Sequence, residues 1–302
     1  MGSTDLQRVT SPPALPPRSA QGHKGTFGRL LVIGGSDEMI GAPVLAGTAA
    51  LRTGVGLVQI AIPKIVLPSA LSITPELIGL GLAGDGGDHS RLHEAAEAAD
   101  AVVIGPGLGK QPAAKALLKE IVGLYKPMVV DADGLNLLAG LKHWPASSFH
   151  ARAVLTPHPM EMRRLSMLLP PGEAGAWPSG GKIPADDAAR ESIAILAART
   201  FKQTILLKGP RTIVTDGTRL YVNQTGDSTL AKAGSGDILS GIIGCLLAQG
   251  MEPFEAACLG AHLHGSAGEA AGRKHGIRSA LGRDVIDEIG AAMTVYESAK
   301  AI

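Results

Sequence analysis

Residues 233–237, Ala-Gly-Ser-Gly-Asp, run directly into an apolar stretch that ends at residue 249. Glycine and serine permit a tight turn, and the apolar run predicts a buried helix behind it. Free backbone N–H groups at the start of such a helix form a site for an anion. Asp237 lies in the first turn, where a carboxylate beside a phosphate is useful if it accepts a proton from an attacking hydroxyl. The alternative is an ordinary helix start with glycines for packing and a dipole-stabilising aspartate.

A second segment of phosphate-binding character precedes this turn. Residues 203–207 predict a short strand, and Lys-Gly-Pro-Arg-Thr follows it at 208–212. Lysine supplies a positive charge, and glycine lets the backbone approach a phosphate closely. Asn-Gln-Thr-Gly comes next, at 223–226. Each segment alone is compatible with a solvated hairpin, but their order before the Ala-Gly-Ser-Gly-Asp turn favours a phosphate site.

Short apolar runs rich in valine and isoleucine alternate with segments of helical composition between residues 30 and 168. The predicted strands are 30–34, 57–62, 101–105, 128–131 and 153–156, and the predicted helices are 42–52, 91–98, 112–123, 134–139 and 159–168. This alternation predicts an α/β fold with a mostly parallel central sheet and helices on both faces. From residue 235 onward the sequence predicts three consecutive helices.

Small and polar residues follow the predicted strands. They are Gly-Gly-Ser at 34–36, Gly-Pro-Gly at 105–107, Asp-Ala-Asp at 131–133, Thr-Pro-His at 156–158 and Lys-Gly at 208–209. Open parallel sheets bind ligands at the carboxyl ends of their strands, so these groups are expected to converge. Asp131 and Asp133 suit Mg²⁺, or Asp133 caps a helix. His158 is held between two prolines, and it bonds either a polar substrate or its own backbone.

The order of these motifs resembles the ribokinase-like fold and, more narrowly, the ADP-dependent (S)-NAD(P)H-hydrate dehydratases. The supporting segments are 24–28, 32–36, 41–42, 49–54, 105–109 and 156–159. The resemblance implies a three-layer sandwich in which residues 23–302 form a single dehydratase domain. Residues 1–22 are expected to be a flexible, proline-rich tail. The epimerase domain that often precedes such a dehydratase is not expected in this chain.

The resemblance also implies roles for individual residues. Asp237 is the expected catalytic base, and it faces the substrate. The substrate-binding positions are Ala42, Gly107, His158 and Asp237, and the nucleotide-binding positions are Lys208, Gly209, Pro210, Arg211, Thr212 and Gly236. Family members commonly carry glycine where this chain has Met160. Glu161 is expected to act at the helix start or through a metal, and Mg²⁺ is expected to arrive with the nucleotide.

The activity implied by the resemblance is repair of hydrated NADH and NADPH (NADHX and NADPHX). ADP would be the co-substrate, and AMP and phosphate would be released. A rival interpretation is an ATP-dependent kinase of a small vitamin-precursor alcohol, which would use the same Asp237. A third is a nucleotide-binding protein without turnover, which Asp237 disfavours because binding alone gains nothing from a carboxylate beside phosphates. The resemblance further implies a homotetramer that cooperates with a separate epimerase.

Net charge, apolar runs and cysteine positions indicate which partners and which compartment to expect. The net charge of +1 provides no electrostatic case for binding nucleic acid or a membrane. Residues 1–22 lack the apolar core of a secretory signal, and the apolar run to residue 249 is too short to cross about 30 Å of hydrocarbon. Cys245 and Cys258 lie in apolar helical stretches, as expected for buried thiols in a reducing compartment. We therefore expect a cytoplasmic enzyme.

Two further segments are interpreted as structural. Residues 170–181 are rich in proline and glycine, which predicts a loop that is either a surface insertion or a flap over the ligand. His262 and His264 are two residues apart in a predicted helix. Neighbours on one helix face are three or four apart, so this spacing disfavours shared metal binding and predicts packing or surface positions.

Overall fold

A single ten-stranded sheet runs through the residues that the computed structural model describes, namely 6–83, 89–141, 149–169 and 186–300. Its strands are β1 Gln7–Val9, β2 Arg29–Ile33, β3 Leu57–Pro63, β4 Ile78–Leu82, β5 Ala101–Ile104, β6 Met128–Val130, β7 Ala153–Leu155, β8 Thr204–Leu207, β9 Ile213–Thr215 and β10 Arg219–Val222. The order across the sheet is β1-β10-β9-β8-β7-β6-β5-β2-β3-β4. Neighbouring strands are parallel except where β9 pairs antiparallel with β8 and β10.

Helices connect most of these strands. Those in the described residues are α1 Gly41–Thr53, α2 Leu67–Ile73, α3 Ser90–Ala98, α4 Pro112–Val122, α5 Asp133–Ala139, α6 Pro159–Ser166, α7 Asp187–Phe201, α8 Ser235–Ala248, α9 Pro253–His275 and α10 Gly282–Lys300. The three helices predicted after residue 235 are confirmed as α8, α9 and α10. None of the helices in the described ranges is long and apolar enough to cross a membrane.

Alternating side chains of the strands enter two separate cores. Leu30 and Val32 of β2 pack with α1, α8, α9 and α10 on one face of the sheet, whereas Leu31 and Ile33 pack with α4 and its neighbours on the other. Both sets of side chains are almost fully buried. The central strands therefore have continuous apolar sequences rather than alternating ones. The predicted three-layer arrangement, a mostly parallel sheet between two layers of helices, is confirmed.

The five predicted strands are confirmed with ends that differ by one residue, and the strand predicted at 203–207 is confirmed as β8. Strands β1, β4 and β10 and helices α2 and α7 were not predicted. Strand β4 has the sequence Ile-Gly-Leu-Gly-Leu, and glycine weakens the local preference for a strand. The loop predicted at 170–181 lies outside the described residues.

The proline-rich N-terminal segment makes specific contacts that its composition did not predict. Residues of β1 pair with β10, and the Gln7 N–H donates to the Thr218 carbonyl at 2.9 Å. The Tyr296 hydroxyl donates to the carbonyls of Pro12 and Pro13 at 2.7 and 2.9 Å. The segment is thereby attached to both the edge of the sheet and the last helix.

Candidate active site

The Ala-Gly-Ser-Gly-Asp turn starts helix α8 beside the carboxyl ends of the central strands. Gly234 precedes the helix with a left-handed φ of 89°, a conformation that glycine adopts without the usual steric cost. No side chain caps this helix start. Within the described residues, the N–H groups of Gly236 and Asp237 have no hydrogen-bond acceptor. These donors and the helix dipole favour an anion at this position.

Lys208, at the end of β8, lies directly beneath the turn. Its Nζ is 2.7 Å from Asp131 Oδ1, at the end of β6. The Ser240 hydroxyl, one helical turn beyond Gly236, donates to Asp131 Oδ2 at 2.6 Å. A Cβ atom built on Gly236 would stand 3.3 Å from Lys208 Nζ. The structure therefore brings two of the predicted nucleotide-binding residues together and fixes the lysine through a buried carboxylate.

The charge states of this pair follow from their surroundings. Asp131 is 1% exposed, and burial alone would raise the pKa of its carboxyl. The Lys208 ammonium and the hydrogen bonds from Lys208 and Ser240 instead hold the pKa of Asp131 below its usual range. Burial acts to lower the pKa of Lys208, but the charges of Asp131 and Glu161 keep it raised. Both groups therefore stay ionised at neutral pH.

The pKa of Asp237 is shifted in the opposite direction from that of Asp131. Burial, together with repulsion from Asp131, raises the pKa of Asp237 to about 7, and the positive charge of Lys208 only partly opposes the rise. A carboxylate with a pKa near neutrality can both accept and return a proton under physiological conditions. The predicted base is therefore placed in surroundings that suit proton transfer.

His158 and Glu161 form a capping box at the start of α6. The Glu161 carboxylate accepts the His158 backbone N–H at 2.8 Å, and His158 Nδ1 accepts the N–H groups of Met160 and Glu161 at 3.0 and 3.4 Å. Because Nδ1 accepts, the neutral imidazole carries its proton on Nε2, which lies 3.3 Å from Glu161 Oε1. The capping box forms with Met160 between its two members.

This histidine stays neutral, and the glutamate beside it titrates near pH 7. Burial and the positive charge of Lys208 lower the pKa of His158, whose side chain is 46% exposed. Burial raises the pKa of Glu161 to about 7, against the opposing charge of Lys208 at 3.9 Å. His158 is thus a partly exposed, neutral hydrogen-bonding group, and the Glu161 carboxylate lies between it and Lys208.

Ala42 and Gly107, the other predicted substrate-binding positions, are neighbours. A Cβ on Gly107 would lie 3.2 Å from the Cβ of Ala42. Helix α1, which carries Ala42, packs closely on α8, since a Cβ on Gly234 would lie 2.7 Å from Leu45 Cδ1. The start of α1 therefore lies next to the turn that carries Asp237.

Asp133 does not cap its helix, because the capping position of α5 is occupied by Ala132, which makes no side-chain bond. Its Oδ2 accepts the Gly109 N–H at 3.0 Å and so holds the Gly-Pro-Gly-Leu-Gly loop. Asp131 therefore binds Lys208, whereas Asp133 binds this loop. In the part of the chain that the structure describes, no group of three His, Cys, Asp or Glu residues is arranged to hold a metal.

The predicted nucleotide loop, residues 208–212, connects β8 and β9. The Thr212 hydroxyl donates to the Gly209 carbonyl at 3.1 Å, and Arg190 donates to the Pro210 carbonyl at 2.7 Å. Arg211, with a left-handed φ of 54°, pairs with Asp187 of α7 at 3.2 Å. The loop is therefore fixed from the side of α7, and Lys208 is the member that contacts the centre of the site.

Sequence reasoning missed two residues of this network, Ser240 and His264. The expectation that Glu161 acts at the helix start is confirmed by its capping box with His158. Ser240 follows Gly236 by four residues, so helical periodicity already places it on the same side of α8. His264 is buried, and its Nε2 lies 3.2 Å from the Ser235 hydroxyl. That contact joins α9 to α8 across 29 residues, and no local pattern indicates it.

Comparison with known proteins decides the family. A family model described as NAD(P)H-hydrate dehydratase matches residues 30–290. The chain belongs to the NAD(P)H-hydrate dehydratase family. An ADP-dependent (S)-NAD(P)H-hydrate dehydratase of Neisseria meningitidis is 38% identical over 268 residues, which cover 87% of this chain and 84% of that protein. A bifunctional NAD(P)H-hydrate repair enzyme of Moorella thermoacetica is 42% identical over 282 residues.

This chain matches only part of the length of several relatives. The matched region covers 90% of this chain but only 50% of the Moorella enzyme, so the chain spans about half the length of the bifunctional relatives that it matches.

Solved structures agree on the fold of this family member. The ADP/ATP-dependent NAD(P)H-hydrate dehydratase of Bacillus subtilis, co-crystallised with ATP and Mg²⁺, superposes with a TM-score of 0.76 at 29% identity, covering 94% of this chain and 95% of that one. Ribokinase of Arabidopsis thaliana superposes with a TM-score of 0.51 at 11% identity, covering 87% and 98%. The predicted ribokinase-like fold is therefore confirmed.

Proposed function

We propose that this protein is an ADP-dependent dehydratase that restores NADH and NADPH from their S-hydrates. The observation that carries the proposal is the placement of Asp237, with a pKa of about 7, at an uncapped helix start beside Lys208. This arrangement offers a proton acceptor and a phosphate site side by side. Membership of the dehydratase family favours this activity over an alcohol kinase or a non-catalytic nucleotide-binding protein.

Each group has a distinct task in the proposed site. The free N–H groups of Gly236 and Asp237, together with Lys208, bind the terminal phosphate of ADP and stabilise the charge that develops on it. Residues 209–212 hold the rest of the nucleotide. The hydrated nicotinamide binds against Ala42, Gly107 and the Nε2–H of His158, which directs its hydroxyl towards Asp237.

The proposed reaction has two steps. Asp237 takes the proton of the substrate hydroxyl while the hydroxyl oxygen bonds to the terminal phosphorus of ADP, and the bond from that phosphorus to AMP breaks. The ring C–O bond of the new phosphate ester then breaks, so that inorganic phosphate leaves with the electron pair. Loss of a proton from the adjacent ring carbon restores the double bond. The sum is hydrate plus ADP giving NAD(P)H, AMP and phosphate.

Mg²⁺ is proposed to arrive with the nucleotide. Magnesium sites in proteins commonly use one or two carboxylates together with substrate phosphates, and the relative from Bacillus subtilis was crystallised with ATP and Mg²⁺. Asp131 and Glu161 are the buried carboxylates beside Lys208, and their oxygen atoms fit this preference. The ion would add positive charge next to the phosphates. A homotetramer and cooperation with a separate epimerase also belong to this proposal.

The decisive test is turnover. The purified protein is incubated with S-configured NADHX and either ADP or ATP, while absorbance of the restored dihydronicotinamide and release of AMP are followed. We expect ADP to support stoichiometric formation of NADH, AMP and phosphate. Rapid phosphorylation of vitamin-precursor alcohols with ATP, while the hydrate stays unchanged, would replace this proposal with the kinase interpretation.

A further inference from the structure

His264 is a buried polar side chain directly behind the phosphate-binding turn. It is 7% exposed, and its Nε2 lies 3.2 Å from the hydroxyl of Ser235, the first residue of α8. Because both nitrogen and oxygen can donate or accept, the distance alone leaves the direction of this hydrogen bond open. The direction decides where the single proton of the serine hydroxyl points.

Two hydrogen bonds from the loop at 223–225 hold the backbone of α9 just before His264. Asn223 donates through its side-chain amide to the Ala261 carbonyl at 3.1 Å, and the Thr225 hydroxyl donates to the His262 carbonyl at 2.9 Å. A Cβ on Gly265 would stand 2.2 Å from Thr225 Oγ1, so α9 approaches this loop as closely as its backbone allows. These contacts fix the position of α9 against the loop, and with it the position of the His264 imidazole beside Ser235.

The imidazole is neutral, so its ring carries one proton. Burial and the nearby positive charge of Lys208 together lower the pKa of His264 to about 4, while a hydrogen bond with the Ser235 backbone acts in the opposite direction. A phosphate offers only hydrogen-bond acceptors to its surroundings. Ser235 is the first residue of α8, next to the free N–H groups of Gly236 and Asp237. If its hydroxyl contacts the phosphate, it can do so favourably only as a donor, and it cannot then donate its single proton to His264. If His264 donates, the serine proton is free for a phosphate oxygen.

We propose that His264 is a positioning residue whose Nε2–H donates to Ser235 Oγ, and that Ser235 is thereby a phosphate-binding residue. The serine hydroxyl adds one donor to the N–H groups of Gly236 and Asp237 at the start of α8. This inference rests on the proposed function only in taking the anion at the turn to be the nucleotide phosphate. It extends the site by two residues, one of which lies on a different helix.

The test compares Ser235→Ala, His264→Phe and the double variant by calorimetric titration with ADP and by steady-state turnover. Loss of a hydrogen bond to a charged group corresponds to a weakening of about tenfold or more. We expect each single variant to weaken ADP binding and to raise KM for ADP by about this factor, with kcat at saturation changed less. The double variant should be no weaker than His264→Phe, because the two residues act as one unit.

His262→Phe is the matched control. His262 lies on the same helix two residues earlier, where its ring packs on Tyr296 with ring centroids 4.9 Å apart. The same change of side chain there should leave ADP binding unaltered. The variant His264→Gln retains a donor amide and is expected to recover part of the lost affinity.

Two results would overturn the inference. One is unchanged ADP affinity in Ser235→Ala, which leaves α8 intact because Ser235 makes no capping bond. The other is a nitrogen-15 spectrum of the wild-type protein that shows His264 Nε2 unprotonated, a readout that does not depend on whether His264→Phe folds. Failure of the proposed function is recognised separately: the wild type would then not turn over the hydrate, whereas ADP titration would still report on the pair.

Discussion

Lys208 Nζ lies 2.7 Å from Asp131 Oδ1, under the first turn of α8, so the cation of the proposed phosphate site is already paired before any nucleotide binds. The partner carboxylate is itself held by Ser240 of the same helix. One buried carboxylate thus sets the distance between Lys208 and the turn. A charged pair fixed in this way binds an anion with little reorganisation, which is the requirement for electrostatic stabilisation of a transition state.

Gly236 leaves little room for a side chain beside Lys208 and Asp131. A Cβ there would already lie 3.3 Å from Lys208 Nζ and 3.6 Å from Asp131 Oδ2. We expect Gly236→Val to displace the phosphate and to weaken ADP binding at least about tenfold, since hydrogen bonds to a charged group are lost. Binding of the hydrate should change much less, as measured by calorimetric titration of each ligand.

The control for this substitution is Gly290→Val. Gly290 lies in α10, and a Cβ there would meet no atom within 4 Å. This variant makes the same exchange of glycine for valine in a helix without touching the site, and its ADP affinity should equal that of the wild type. Equal losses for ADP and hydrate in Gly236→Val would contradict the assignment of Gly236 to the nucleotide.

The attachment of the N-terminal segment provides a test of stability away from the site. Tyr296→Phe removes the hydroxyl that donates to Pro12 and Pro13. We expect the free energy of unfolding in urea to fall by about 0.5–1.5 kcal/mol, the usual contribution of one hydrogen bond, with activity unchanged. Tyr125→Phe, at a tyrosine that is 80% exposed, is the control and should leave stability unaltered. A midpoint for Tyr296→Phe that matches the wild type would show that the contact contributes nothing.

The sequence predicted the layers of the fold because the signals involved are local. Apolar runs such as 101–105 are as long as the strands they form, and the glycines and polar residues after them mark the strand ends. Strand β4 lacks this signal because glycine alternates with its apolar residues. Strand β1 forms through pairing with β10, more than 200 residues later, so its own three residues contain no indication of it.

The same limit applies to the candidate site: residues in short local motifs were predictable, and contacts between distant elements were not. Gly236, Asp237 and Lys208 are recognisable because each belongs to a short motif with a physical reason for its residue types. Other contacts depend on which elements the sheet order brings together, such as Ser240 with Asp131 of β6 or Ser235 with His264 of α9. Asp133 shows the limit most directly, because its sequence context suits a helix cap whereas its carboxylate bonds the Gly109 N–H.

The pH dependence of turnover follows from the raised pKa of Asp237. A base acts in its ionised form, so kcat/KM should fall as the pH drops below about 7 and should level off above it. Asp131 raises the pKa of Asp237 by repulsion, so Asp131→Asn should shift this acid limb to lower pH. The measurement is the pH profile of kcat/KM for the hydrate in each variant.

Glu161 is the necessary control for that profile, because burial raises its pKa to about 7 as well. The variant Glu161→Gln keeps a side-chain oxygen for the capping box at His158 but removes the titrating group. If Asp237 is the base, the acid limb stays near pH 7 in Glu161→Gln. Disappearance of the limb in this variant would assign it to Glu161 instead.

Asp237→Asn tests the central assignment. Asparagine has nearly the same shape as aspartate but negligible proton affinity, and a positioned general base is worth about 10²–10⁴ in rate. We therefore expect kcat to fall at least about a hundredfold, while the variant folds normally because no side chain caps α8. ADP binding should persist or tighten slightly, since a negative charge beside the phosphates is removed. If Asp237 served only the helix dipole, the neutral asparagine would cost a little stability and leave turnover nearly unchanged. A kcat within a few-fold of the wild type would therefore exclude Asp237 as the base.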